Sequence, residues 1–371
     1  MAAPAASRMM AGATSAARLR LVSTLLRKTP WRGHSLKLGN LGVGAPLAAC
    51  AAAGLGGLVL AVRPEAQSSR LALCEADPAA APGRPTLVEA IPADVKLASS
   101  TVRLYQYESC PFCRKVRSCL DYHKVPYEIV EVHPLNKNET KEVAPDYKKV
   151  PILRIDTADG RQFQLRDSKT IVAALLKTFR GASSDAEDKR VVPAPSQCPS
   201  TAKMWPGDIG LDGVSPQAQW IQWTDAVLVK CVVLNVYRTM SESAETFRYL
   251  LTHPEFSWYA QRSAAFVGTV MMWGVAKVRR RQSGVEDERG ALYEALECFA
   301  AAVRSGGAPF LGGSRPGAAD FNVYGVLRST ESFQTERDWL ENCQGILPWY
   351  RAMESAVGPS SATNFGCVKR G

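Results

Sequence analysis

Two cysteines three residues apart, Cys110 and Cys113, are the part of this sequence best suited to chemistry. They sit in the run YESCPFC at 107–113. A thiol becomes a nucleophile when it ionises, and a cysteine that opens a helix meets unpaired backbone N–H groups and the positive end of the helix dipole. Such sites hold thiol pKa values of roughly 3.5–7.5, so Cys110 is expected to be largely ionised near neutrality. Cys113 lies one turn deeper and reads equally as a resolving thiol or as a packed, inert core cysteine. Pro111 removes one helix N–H donor and Phe112 offers an apolar wall beside the sulfur. Tyr107 ends the preceding segment, where its hydroxyl either aims at the thiol or packs at the surface.

A thiol pair of this spacing needs a strand before it and a helix after it, and the flanking pattern supplies both. Thr101–Tyr107 alternates and is rich in β-branched and aromatic residues. Cys110–Lys124 carries apolar positions at helical spacing, with Pro111 in the favoured first turn. Tyr127–Val132 alternates again. Lys149–Ile155 and Arg161–Leu165 flank the turn Ala158-Asp159-Gly160, a hairpin signal. Asp167 or Ser168 then caps a helix to about Phe179. The order β-α-β, then β-β-α, resembles the thioredoxin fold in its glutaredoxin form. That resemblance implies a cis Val150-Pro151 bond facing the thiols, with the backbone of Val150 pairing to the cysteinyl part of a bound peptide. It also implies that Asp167 and Ser168 grip the γ-glutamyl end of glutathione, although capping alone accounts for both residues.

The other cysteines and the four histidines show neither a disulfide framework nor metal-ligand spacing, so no metal site is expected. The chain has 371 residues, 46% hydrophobic and 22% charged, a composition that excludes both a disordered polyampholyte and a polytopic membrane protein. The net charge of +10 is concentrated at one end. Residues 1–64 hold eight basic residues and no acid, which leaves 37 basic against 35 acidic residues in the remainder. A nucleic-acid footprint would have to lie in that nearly neutral body, so none is expected. Residues 1–40 read as a basic targeting leader ahead of a merely disordered basic tail. Leu41–Val62 is free of charge and long enough to span a bilayer as a helix. It reads as a membrane anchor ahead of the apolar stretch of a cleaved leader. The Ala- and Pro-rich stretch 63–98 reads as a linker open to proteolytic release, with order starting at Thr101.

Residues 99–180 then form the glutaredoxin-like domain and 181–216 a Pro-rich insertion. Helical signals fill 217–371: Gln217–Tyr237, Ala244–Leu251, Phe256–Arg281, Glu286–Ser305, Ala318–Leu327 and Ile346–Ala356. Ser263–Ala276 is apolar and reads as a buried helix. Phe310–Leu327 (FLGGSRPGAADFNVYGVL) looks like the loop and buried helix of a glutathione-transferase C-terminal domain, with Gly317 where the capping Ser or Thr would stand and Asp320 retained. The fold class is therefore an α/β thioredoxin-like domain followed by an all-α, glutathione-transferase-like domain.

YQYESCPFCRKVRSCLDYHKVPYEIVEV at 105–132, KVPIL at 149–153, QLRDS at 164–168, NVYRT at 235–239 and ADFNVYGVLR at 319–328 together resemble the type 2 membrane-associated prostaglandin E synthases. The resemblance implies isomerisation of prostaglandin H2, or turnover of another lipid peroxide, at Cys110. It places Tyr107, Phe112 and Cys113 around that thiol and assigns glutathione to Val150, Pro151, Asp167 and Ser168. Haem bound with glutathione in some members, and a homodimer, are further implications. Residues 41–62 would make a single-pass organelle membrane protein, with the mitochondrion favoured by the leader and the Golgi as the alternative. A glutaredoxin-like thiol-disulfide oxidoreductase and a membrane-tethered glutathione- or haem-binding adaptor without turnover are the competing functions.

Overall fold

Backbone pairing starts earlier than the composition predicts. The computed structural model describes residues 84–180, 193–195, 199–205 and 214–364. The expected leader 1–40, the anchor 41–62, the first part of the 63–98 linker and most of the 181–216 insertion lie outside them. Within the expected linker, Thr86–Leu87 (β1) pairs in parallel with a strand of the sheet, and Ile91, Val95 and Leu97 are buried in the core. Residues 84–98 are thus part of the fold and not linker. Three isolated apolar side chains suffice to dock a Pro-rich segment against an otherwise open sheet edge, and no periodicity announces them.

The sheet continues with Thr101–Gln106 (β2), the helix Pro111–Tyr122 (α1) and Glu128–Glu131 (β3), and a short helix Asn138–Lys141 (α2) follows. Ile152–Asp156 (β4) and Gln162–Arg166 (β5) form the hairpin, turning at Gly160 with φ +86°, and Ser168–Arg180 (α3) closes the unit. The strand order is β1-β5-β4-β2-β3, with β2 parallel to β3 and antiparallel to β4. This mixed sheet places β2, whose end leads into α1, between β4 and the edge strand β3. The outer edge of β3 is covered by the C-terminal segment, where Asn364 hydrogen-bonds both N–H and C=O of Ile129.

The second half is helical: Pro216–Trp223 (α4), a wider π-helical turn at Thr224–Leu228, Val229–Val236 (α5), Met240–Thr246 (α6) and Trp258–Ser283 (α7). Glu288–Ser305 (α8), Ala318–Arg328 (α9), Gln334–Asn342 (α10) and Leu347–Val357 (α11) complete it. The sequence pattern did not mark α10, a short polar helix anchored by the buried Trp339. It also misjudged α7, which is not a buried helix. Ala264, Thr269 and Ala276 face inward, whereas Phe266 is 71% and Trp258 66% exposed. A helix apolar all round gives no sign of which face has a partner. Among the described residues no helix is long and apolar enough to cross a membrane.

The two halves lie within one compact unit and meet along α1 and α9. Close approach is possible because Gly325 of α9 faces the backbone of Arg114 and Lys115 with no side chain between. Asp320 fixes the start of α9. Its buried carboxylate accepts N–H groups from Leu311, Gly312 and Gly317 at 2.8–2.9 Å and from Trp349 Nε1 at 2.8 Å. Gly317 thus serves as the cap position without a side chain of its own.

Candidate active site

Cys110 is the residue immediately before α1, with extended backbone (φ −79°, ψ 120°) and Pro111 at the first helical position. Its N–H donates to the Tyr107 carbonyl at 3.0 Å and its own carbonyl accepts the Arg114 N–H at 3.0 Å, so turn and helix are joined at this residue. Cys110 is partly buried as a residue and Cys113 is fully buried. Donation from the Cys113 S–H lowers the Cys110 pKa against the opposing effect of burial. The backbone N–H groups of Cys113 and Phe112 and the charge of Lys115 act in the same direction. Cys113 is pushed well above the ordinary thiol range by burial and by its neighbour, while the Tyr107 N–H points at its sulfur. The Cys113 thiol thus stands as the hydrogen-bond donor to Cys110. The two thiols shift in opposite directions, Cys110 down chiefly through the hydrogen bond from Cys113 and Cys113 up chiefly through burial.

The turn carrying Cys110 is held by charges. Burial alone would raise the Glu108 pKa, but Arg114 Nη2 at 2.6 Å and Arg117 Nη1 at 2.8 Å hold it down to about 2. Arg114 also reaches Glu331 of the helical half at 3.1 Å. Beneath the turn, Glu131 of β3 accepts the Glu108 N–H at 2.8 Å and Gln106 Nε2 at 3.2 Å. Burial, with the Glu108 charge nearby, raises the Glu131 pKa to about 8.

Val150-Pro151 is cis, as the fold position predicts. Val150 packs with Tyr107 and Tyr147 against one small core built on Tyr105, Val132, Val143, Ala144 and Ile152. Burial raises the pKa of the Tyr107 phenol, with the two thiols next among its neighbours. Asp167 is exposed, has left-handed backbone (φ 71°) and accepts the Lys169 N–H at 2.7 Å, whereas Ser168 is buried. The Asp167 backbone N–H also points at the Tyr147 hydroxyl, and the field of Cys113 reaches that phenol. Tyr147 packs in the same small core as Tyr107 and Val150. The structure brings Tyr107, Phe112, Cys113, Val150 and the Asp167 turn to one end of the sheet around Cys110.

The family model for the glutathione S-transferase N-terminal domain matches residues 104–183, and that for the C-terminal domain matches 282–352. Prostaglandin E synthase 2 of Mus musculus is 34% identical over 280 residues, 70% of this chain and 71% of that one. The Danio rerio protein of the same name is 33% identical over 278 residues, covering 68% and 70%. The chain belongs to the prostaglandin E synthase 2 family. Among solved structures, glutaredoxin 2 of Salmonella typhimurium, in complex with glutathione, covers 69% of this chain and 94% of its own at 13% identity and TM-score 0.38.

For this family member, four groups near the site escaped the sequence reading: Glu108, Glu131, Lys115 and Asp225. Glu131 lies in an alternating strand where a glutamate reads as solvent-facing, and Lys115 lies opposite the apolar stripe of α1. Both become buried because elements distant in sequence cover them: Glu108 and Tyr249 for Glu131, α9 for Lys115. The NVYRT run was the one usable signal, since its Tyr237 is buried within the field of Cys110.

Proposed function

We propose that this protein isomerises prostaglandin H2 to prostaglandin E2, with Cys110 as the reactive thiol and glutathione bound beside it. The observation that carries the reading is a partly buried cysteine at a helix start whose thiol accepts a neighbouring S–H and two backbone N–H groups, all of which lower its pKa. The fold and the names of the relatives support the substrate class. The Cys110 sulfur bonds to one oxygen of the endoperoxide as the O–O bond breaks. The other oxygen leaves as an alkoxide and takes a proton to become the hydroxyl. Loss of the hydrogen on the carbon bearing the sulfur-linked oxygen then forms the ketone, breaks the S–O bond and returns the thiolate. No net oxidation occurs. The Cys113 S–H holds the proton nearest the thiolate, and Tyr107 and Phe112 shield the sulfur from water.

Glutathione fits the Asp167-Ser168 turn. The exposed Asp167 carboxylate suits its amino group, the start of α3 suits its carboxylate, and the Val150 backbone suits its cysteinyl unit. When bound it supplies a thiol able to reduce an oxidised Cys110. Haem enters no part of this reading. A second reading, a thiol-disulfide oxidoreductase, is favoured by the Cys113 S–H contact with Cys110, which is also the pairing a disulfide needs.

Purified full-length protein assayed with prostaglandin H2 separates the two. Cys110→Ser should lose roughly 100-fold or more of prostaglandin E2 formation, and Cys113→Ser, which keeps a donor, should retain most of it. Undiminished turnover in Cys110→Ser would overturn the isomerase assignment. Reduction of a mixed glutathione disulfide that needs both cysteines, without isomerisation, would establish the second reading. The proposal also includes a leader at 1–40, a single organelle membrane span at 41–62, mitochondrial ahead of Golgi, and a homodimer. Carbonate extraction of organelle membranes carrying the full-length chain tests the span.

A further inference from the structure

Half of the large apolar side chains exposed among the described residues stand on one helix, α7. Tyr259, Phe266 and Val270 recur at spacings of seven and four, which stacks them in a single stripe. Tyr259 is 65% and Phe266 71% exposed, with Trp258 before them and Val278 beyond. The opposite side of the helix is firmly seated. Ser243 Oγ donates to the Thr269 carbonyl at 2.8 Å, and a Cβ on Gly268 would lie 2.7 Å from the Phe247 ring. On the outer side a Cβ on Gly274 would meet nothing within 4 Å. An apolar patch of this kind on a folded chain marks a contact surface.

The charge of the same helix says what it contacts. α7 carries five bases, Arg262, Lys277, Arg279, Arg280 and Arg281, and no acid. Two of the five are engaged within the fold: Lys277 donates to the Arg238 carbonyl at 2.9 Å, and Arg280 pairs with Glu288 at 3.1 Å. Arg262 and Arg281 are exposed. The Arg262 guanidinium stands 4.7 Å from the centre of the Trp258 ring, which joins a cation to an aromatic side chain at the surface. Aromatic rings and arginines along one exposed face match the boundary between lipid headgroups and acyl chains, where phosphates answer the cations. A second copy of this chain would set one acid-free basic helix against another.

We propose that the outer face of α7 rests on an anionic lipid surface, its aromatic side chains entering the headgroup boundary and Arg262 and Arg281 meeting lipid phosphates. The helix lies in the plane of that boundary and does not cross it. The inference depends neither on a span at 41–62 nor on the chemistry of Cys110.

The test reconstitutes the full-length protein with vesicles holding a trace of phospholipid with a photoreactive acyl chain. Lipid adducts are mapped by mass spectrometry of the peptide covering 263–277. One set of vesicles is phosphatidylcholine alone and the other adds phosphatidylglycerol. Adducts on this peptide should be roughly 25-fold more abundant with phosphatidylglycerol, about a factor of five for each of the two exposed cations. Arg262→Gln combined with Arg281→Gln should remove that rise. Phe266→Asp, at a solvent-facing position that leaves the core untouched, should abolish the adducts. A span elsewhere in the chain gives adducts on its own peptide in both vesicles, so the 263–277 peptide alone reads the proposal. Adducts absent from this peptide, or equal in the two vesicles, would overturn it. So would a dimer in lipid-free sedimentation that Phe266→Asp splits, which assigns the face to a second copy.

Discussion

Replacing Gly325 by alanine tests whether the thiol helix depends on one missing side chain in the other half of the molecule. In an isolated helix the change would be favourable, since alanine is about 1 kcal/mol better than glycine in a helix interior. Here a Cβ at 325 would lie 2.8 Å from the carbonyl carbon of Arg114 and closer still to Cα and N of Lys115. Ordinary carbon contacts are about 3.5–4.0 Å, so α1 and α9 would have to part by about 1 Å. All three obstructing atoms are backbone, so no rotamer change relieves the clash. Overpacking of this kind costs typically 1–3 kcal/mol, and the rigid case belongs at about 3. Subtracting the propensity gain leaves a net loss of about 2 kcal/mol. Urea unfolding followed by circular dichroism reads the loss. A Gly325→Ala protein as stable as wild type would refute the close-approach argument.

Glu131 and Asp320 give two further expectations. The Glu131 carboxyl has its folded pKa raised from 4.5 to about 8, so its neutral form is the one the fold favours. Its contribution is complete below the unfolded pKa and is lost as pH rises toward 8. At pH 7 the 2.5 units already crossed amount to about 3 kcal/mol. Glu131→Gln should therefore flatten the decline in stability between pH 5 and 8 seen in urea titrations of the wild type, and parallel curves would contradict the burial of this acid. Asp320→Asn sets an amide NH2 against N–H donors that now meet a carboxylate, and should cost about 3 kcal/mol. Altered Trp349 fluorescence in the folded state should accompany the loss, and an unchanged urea midpoint would argue against this cap.

Much of the chemistry was legible because it is local. Cys110, Pro111, Phe112 and Cys113 are neighbours in sequence, and a strand before them with a helix after them is enough to place a thiol at a helix start. The hairpin at Gly160 and the cap at Asp167 follow the same logic, since turn geometry is written in adjacent residues. The cis Val150-Pro151 bond was expected from the resemblance, whereas the packing of Val150 with Tyr107 needed the sheet to bring it about. What the sequence could not express is which polar side chains lose their water. Lys115, Glu131 and Glu108 look like solvated positions on their own elements. They lose their water only when α9, the Tyr249 segment and Asp225 close over them. The reverse holds for α7, whose apolar residues promised burial and remain exposed along one face. Local pattern determines which elements form, and through them where the reactive sulfur stands. Desolvation and pKa depend on contacts between residues more than 100 positions apart, such as Lys115 with Asp225, and only the packed chain brings those together.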